Sequence, residues 1–190
     1  MTIDIGTGDG RAVLAAAARD PRTLVIGMDA SAAAMAELSR RAAGPARKGG
    51  LPNAAFILAA AEAPPRDLRG VAERVTVQFP WGSLLRGCVG LDEAVAAGAA
   101  ALVADRGALD LLIAPSVRDG LGGVPTDASG LAEVVAGSFA RHGFELEFGR
   151  PATHAEVVAS GSTWARRLGA SRANGDAPDR SALLFHLVRR

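Results

Sequence analysis

The sequence predicts an α/β fold built on a mostly parallel sheet of seven strands, with helices on both faces. Three observations lead there. Apolar runs of strand length alternate with alanine- and leucine-rich runs of helix length along most of the 190 residues. The first strand breaks into Gly6-Thr7-Gly8-Asp9-Gly10 directly ahead of a helical run. No internal repeat or shift of composition marks a boundary, so residues 1–190 read as a single domain.

Taken in order, Thr2-Ile3-Asp4-Ile5 is a short strand, and Arg11–Arg19, rich in strong helix formers, is the helix after it. Thr23–Met28 is a second strand ending on Asp29. Ser31–Arg41 follows as a helix with Met35 and Leu38 on one face. Residues 44–52 form a basic loop, and Asn53–Ala60 carries a third strand. Pro64-Pro65 breaks the chain before a fourth, Val75–Phe79. Glu93–Ala104 reads as a helix and Ala108–Ala114 as a fifth strand. The glycine-rich stretch Arg118–Gly130 reads as a surface connection. Leu131–His142 is a helix, Phe144–Phe148 an alternating strand, and Thr153–Leu168 helical in part. A second connection, Ser171–Asp179, precedes the last strand, Ala182–Val188.

Composition narrows the chemistry. Alanine and glycine supply about a third of the chain, there are two tryptophans, and tyrosine is missing. A single cysteine, Cys88, excludes an internal disulfide framework and a cysteine-rich zinc site. Three scattered histidines make no zinc centre, so no metal is expected. The alanine run at 12–18 is far short of a membrane span and the start lacks the regions of a signal peptide. The expectation is a cytoplasmic, monomeric protein without membrane contact. The net charge of +1 hides local clusters: all but one of the cationic residues are arginine. Arg40, Arg41, Arg47 and Lys48 crowd the basic loop, and Arg166, Arg167, Arg172 and Arg180 crowd the region near the C-terminus. Such clusters suit phosphate contacts even at a near-neutral total.

The loop from Asp4 to Gly10 allows a tight turn and close approach of a ligand to the backbone. Its spacing departs from the dinucleotide pattern, which wants a glycine where Arg11 stands. With Asp4 inside the strand and Asp29 at the end of the next, it resembles the first motif of class I S-adenosylmethionine methyltransferases. That resemblance implies that Asp29 accepts hydrogen bonds from the cofactor ribose. An ordinary turn with Asp29 as a helix cap is the bland alternative.

Four further segments sharpen the resemblance. They are Arg47-Lys48-Gly49-Gly50-Leu51-Pro52-Asn53, Ala59-Ala60-Ala61-Glu62, Phe79-Pro80-Trp81-Gly82-Ser83-Leu84-Leu85-Arg86-Gly87, and Ser162-Thr163-Trp164-Ala165-Arg166-Arg167-Leu168. Together with the glycine loop they are similar to the aminoglycoside-resistance 16S ribosomal RNA methyltransferases that modify N1 of adenine 1408. The resemblance implies a cofactor pocket lined by Asp4, Gly6, Gly8, Asp29, Ala61, Glu62, Gln78, Phe79, Pro80, Trp81, Gly82, Ser83 and Ser162. It implies that Trp81 and Trp164 clamp the flipped target base and so position it for reaction. It also implies RNA contacts from Arg47, Lys48, Arg86, Arg166, Arg167, Arg172 and Arg180, within the 30S subunit. Read singly, either tryptophan would be a core residue, Glu62 a helix cap or solvent-facing acid, and Arg180 a solvated surface arginine.

Family members carry a small β-hairpin before the first cofactor strand, whereas this chain starts inside that strand. A reduced RNA-docking surface, or a start codon further upstream, is the corresponding expectation. Two other readings stay open at this level: a methyltransferase acting on another RNA base or a small molecule, and a non-catalytic RNA-binding remnant.

Overall fold

The computed structural model describes residues 1–163, 165 and 181–190. Seven strands form one sheet: β1 (Thr2–Ile5), β2 (Val25–Asp29), β3 (Ala54–Leu58), β4 (Ala72–Gln78), β5 (Val103–Ile113), β6 (Phe144–Pro151) and β7 (Leu183–Arg189). Their spatial order is β3-β2-β1-β4-β5-β7-β6. The first five are mutually parallel, and β7 runs antiparallel to both neighbours. The order reverses at β1 and β4. Their C-terminal ends therefore open a crevice where the connecting loops part in opposite directions, the usual ligand position in an open α/β sheet.

The α-helices with described bounds are α1 (Arg11–Arg19), α2 (Ala32–Ala42), α3 (Gly82–Cys88), α4 (Glu93–Leu102), α5 (Ala128–Ala140) and α6 (His154–Ala159). Helices α3, α4 and α5 bury Leu85, Val95, Leu102, Leu131 and Phe139 against Val75, Val77, Leu109, Leu111, Phe185 and Leu187. On the opposite face α1 packs Val13 and Ala17 against Val25, with Ala54 and Phe56 alongside. Sheet residues at alternate positions point there, and beyond β1 they include the polar Arg74, Thr76, Asp110 and His186 beside Leu112, Leu184 and Phe148. They line a groove of about 850 Å³ bounded by α1 and α6. Arg74 donates to Asp110 at 2.9 Å, and His186 Nδ1 lies 2.5 Å from the other carboxylate oxygen. His186 also stacks on Phe148, with ring centroids 5.3 Å apart.

Several boundaries differ from the sequence expectation: β4 begins at Ala72, α5 spans Ala128–Ala140, β6 runs on to Pro151, and three further differences have a clear physical cause. Helix α4 stops at Leu102 because Val103 takes an extended conformation and is wholly buried at the start of β5. That strand then runs through Asp105-Arg106-Gly107, a stretch with the composition of a turn. The β4–β5 register shifts there, and Arg106 has φ of 60°. The third is α3, which has no apolar periodicity and is held by the contacts of Leu85 and Cys88. Burial pushes the Cys88 thiol up to about 12, so it packs as a small apolar residue rather than acting as a nucleophile.

Helix α4 approaches the β3–β4 connection backbone to backbone. A Cβ on Gly98 would stand 1.8 Å from the Ala61 carbonyl oxygen. Gly98→Ala must therefore push α4 from the Ala61–Glu62 turn. The expected loss is about 1–3 kcal/mol in urea unfolding, as for other overpacked sites.

The corner between β6 and α6 is fastened by charge. Arg150 reaches Glu156 with both terminal nitrogens, at 2.9 and 2.6 Å, and Thr153 completes a capping box with the same carboxylate. The Arg150 bond, then the Thr153 backbone amide, hold the Glu156 carboxyl down at about 2, against an ordinary 4.5. A depressed carboxyl contributes stability that is complete above the unfolded value and is lost as pH falls from 4.5 toward 2. Glu156→Gln is expected to flatten that part of the acid-unfolding curve and lower stability at neutral pH, measured by circular dichroism.

Candidate cofactor and target-base site

The crevice holds a cavity of about 620 Å³. Its floor is the glycine loop. Gly6 and Thr7 donate their backbone N–H groups to the Met28 carbonyl, at 2.8 and 3.3 Å, which turns the chain sharply out of β1. Gly6 and Gly8 have φ of 69° and 57°, a region where a side chain would be strained. Asp29, at the end of β2, closes the loop. Its Oδ2 accepts from the Gly8 N–H and its Oδ1 from the Ser31 N–H, both at 2.8 Å. A carboxylate has about four lone-pair directions. Each oxygen of Asp29 thus retains acceptor capacity, which suits a ribose diol.

Ala61 and Glu62 form a second wall, with Ala61 buried and the Glu62 side chain exposed. Gln78–Ser83 form a third. Phe79 has φ of 48°, although it precedes Pro80. A residue before proline is restricted, and a left-handed non-glycine residue costs on the order of 1–3 kcal/mol. Its N–H donates to the Leu112 carbonyl at 2.7 Å. Its ring belongs to a buried cluster with Leu112, Ala114, Val157 and Ala165. The forced turn sends the next side chains outward: Trp81 is 81% exposed. Ser162 and Thr163 close the remaining side. The Phe79 cluster includes Ala165, so the two segments that hold the tryptophans meet through their apolar neighbours.

Eleven of the thirteen residues expected around the cofactor, Trp81 among them, line this cavity; the two that do not are Asp4 and Gly8. Gly8 acts through its N–H to Asp29. Asp4 is 4% exposed and faces the polar groove, where its Oδ1 accepts from Thr76 Oγ1 at 2.6 Å and Gln78 Nε2 at 3.0 Å. Burial pushes its carboxyl up, against these hydrogen bonds. The amide of Gln78 is thereby oriented, and its Oε1 is buried without a partner among the described residues. An acceptor left open at a cavity wall fits a ligand that brings a donor, as an amino-acid ammonium does.

Arg47 and Lys48 are exposed on a 3₁₀ turn (Ala46–Lys48), unpaired among the described residues. Arg86, on α3, is exposed and donates to the Leu91 carbonyl at 3.4 Å. Trp164, Arg166, Arg167, Arg172 and Arg180 lie outside the described residues. Among the described residues, no group of three or more His, Cys, Asp and Glu side chains could hold a metal ion. No helix among them is long and apolar enough to cross a membrane.

A sheet of this order, a glycine loop after β1 and an acid closing it from β2 define a class I S-adenosylmethionine-dependent methyltransferase. The sequence profile of NpmA, 16S rRNA (adenine(1408)-N(1))-methyltransferase, matches residues 1–181. The 16S rRNA (adenine(1408)-N(1))-methyltransferases of Streptoalloteichus hindustanus and Streptoalloteichus tenebrarius are 35% and 37% identical to it, each over 90% of this chain and 81% of their own. The crystal structure of the 16S rRNA methyltransferase KamB superposes with a TM-score of 0.86 at 31% identity, covering 99% of this chain and 86% of the other. A variant of the Catenulisporales acidiphilia 16S rRNA (adenine(1408)-N(1))-methyltransferase, solved with S-adenosylmethionine, gives 0.83 at 30% identity, over 99% of this chain and 84% of that one. The chain belongs to the 16S rRNA (adenine(1408)-N(1))-methyltransferase family, and its cofactor is S-adenosylmethionine.

Sequence reasoning missed Gly98, whose lack of a side chain seats the Ala61–Glu62 wall. A glycine inside an alanine-rich helix was its only signal. Asp29→Ala removes both acceptors of the loop closure. Hydrogen bonds to a charged group are worth about 1.5–3 kcal/mol, so cofactor affinity is expected to fall roughly tenfold to a hundredfold by calorimetry.

Proposed function

We propose that this chain methylates N1 of adenine 1408 in the 16S rRNA of the 30S subunit, and thereby protects the ribosome from aminoglycosides. The observation that carries the reading to these residues is Trp81, a large aromatic 81% exposed at the rim of the cofactor cavity. An exposed tryptophan on a strained, anchored turn is built to meet a flat partner. Stacking on a base extruded from RNA is worth roughly 1–3 kcal/mol and offsets part of the cost of flipping it. Trp164 would supply the opposite face.

When bound, S-adenosylmethionine supplies an electrophilic methyl group. Asp29 would accept from its ribose, Gly6 and Gly8 would let the backbone approach it, and the wall at Ala61 and Glu62 would read its adenine edge. Gln78 and Ser162 would orient the amino-acid end. Adenine N1 has a free lone pair and no proton, so the chain need not provide a general base or a metal. Its work is to place the base, to keep water out, and to favour developing positive charge on the ring by aromatic faces. Arg47, Lys48, Arg86, Arg166, Arg167, Arg172 and Arg180 would contact RNA phosphates. The reading extends to a metal-independent, cytoplasmic monomer of one domain. Family membership favours it over another RNA base, a small molecule or a non-catalytic remnant.

Assembled 30S subunits incubated with the protein and labelled cofactor should give a primer-extension stop at adenine 1408. Modification elsewhere, or none, overturns the assignment. Trp81→Ala is expected to lower turnover roughly tenfold to a hundredfold while cofactor affinity by calorimetry changes less.

A further inference from the structure

The segment that leads into the second tryptophan is fastened to α1 and the glycine loop. Arg19, in the last turn of α1, donates Nη2 to the Ala159 carbonyl at 2.9 Å. Gly161, with φ of 68°, lies against the same helix so closely that a Cβ there would stand 3.0 Å from the Cβ of Ala15. Thr163 then donates its hydroxyl to Asp9 Oδ2 at 2.7 Å, across 154 residues of sequence. Asp9 is part of the glycine loop and, with Thr163, lines the cofactor cavity. A hydroxyl on a carboxylate at this distance is a charge-assisted bond, stronger than a neutral one.

Asp9 does not need Thr163 to keep its own place. Its Oδ1 accepts from the Arg11 N–H at 3.1 Å and its Oδ2 from Arg11 Nε at 2.9 Å. Thr163 has no comparable second tie among the described residues. Removing the bond thus leaves the loop closed and, among the described residues, the segment held only at Ala159, Gly161 and Ala165, on either side of Thr163. We infer that the Asp9–Thr163 bond is a positioning strap: it makes the placement of the target-base segment depend on the cofactor-filled glycine loop. Ser162 precedes Thr163 in the chain and Trp164 follows it, so the bond lies beside the residues to which the proposed function gives the base and the cofactor. This rests on the proposed function for its substrate, but the coupling itself concerns the chain and its cofactor alone.

Backbone hydrogen exchange of the whole protein, with and without S-adenosylmethionine, tests the coupling without RNA. In the wild type the cofactor should slow exchange across 159–165. In Thr163→Val, which keeps the side-chain shape, that slowing should disappear when the cofactor is supplied at saturation. On 30S subunits, kcat should fall about tenfold or more in Thr163→Val and recover in Thr163→Ser, which restores the hydroxyl. The Asp9→Ala, Thr163→Val double variant should be no slower than Asp9→Ala alone. Unchanged cofactor protection in Thr163→Val overturns the strap, as does an equal loss of affinity and turnover, or a failure of serine to rescue. Failure of the wild type to modify adenine would instead count against the proposed function and leave the exchange result standing.

Discussion

The site depends on one carboxylate. Asp29 stands where β2 ends, and its two oxygens take backbone amides from two different chain segments, the glycine loop and the start of α2. Among the described residues neither amide has a second partner, so without the acid only solvent or ligand would take the two donors. The carboxylate therefore makes the floor of the cavity while keeping capacity to bind in it. The Met28 carbonyl beside it, accepting from Gly6 and Thr7, completes a junction in which β2 decides the path of the chain leaving β1.

Around that junction the molecule separates two kinds of surface. The face under α3, α4 and α5 is apolar and closed, and supplies the rigidity that a precisely spaced transfer needs. The opposite face carries polar side chains past β1, where Asp110 is bonded by both Arg74 and His186 within the sheet. Asp4 links the two regions: buried under the crevice, it orients Gln78 without touching the cavity itself. A residue can thus belong to a binding motif by its position in sequence and serve the ligand at one remove.

Much of this was legible in the sequence, for physical reasons. β1, α1 and α2 were plain because alanine and leucine favour helix, and because glycine and Asp29 punctuate the turns. Helix α3 was not, since two glycines in seven residues give it little intrinsic preference and its order comes from burial of Leu85 and Cys88. The start of β5 was hidden by Asp105-Arg106-Gly107, which has turn composition but is carried into the sheet by the pairing on either side. In the site, the residue types and their walls were readable, whereas the seat of Ala61 on Gly98 and the bond from Thr163 to Asp9 join distant positions. No local pattern encodes such contacts. The outward setting of Trp81 follows from the φ of Phe79, which packing imposes against local preference.

The scarcity of aromatics has a practical side. With two tryptophans and no tyrosine in the chain, its near-ultraviolet emission arises almost wholly from Trp81 and Trp164. Both belong to the segments that meet at the cavity, and Trp81 stands in water. Trp81 is thus an optical probe already at the rim of the cavity. Emission wavelength and quenching report on occupancy there with no label attached and little background from the rest of the fold.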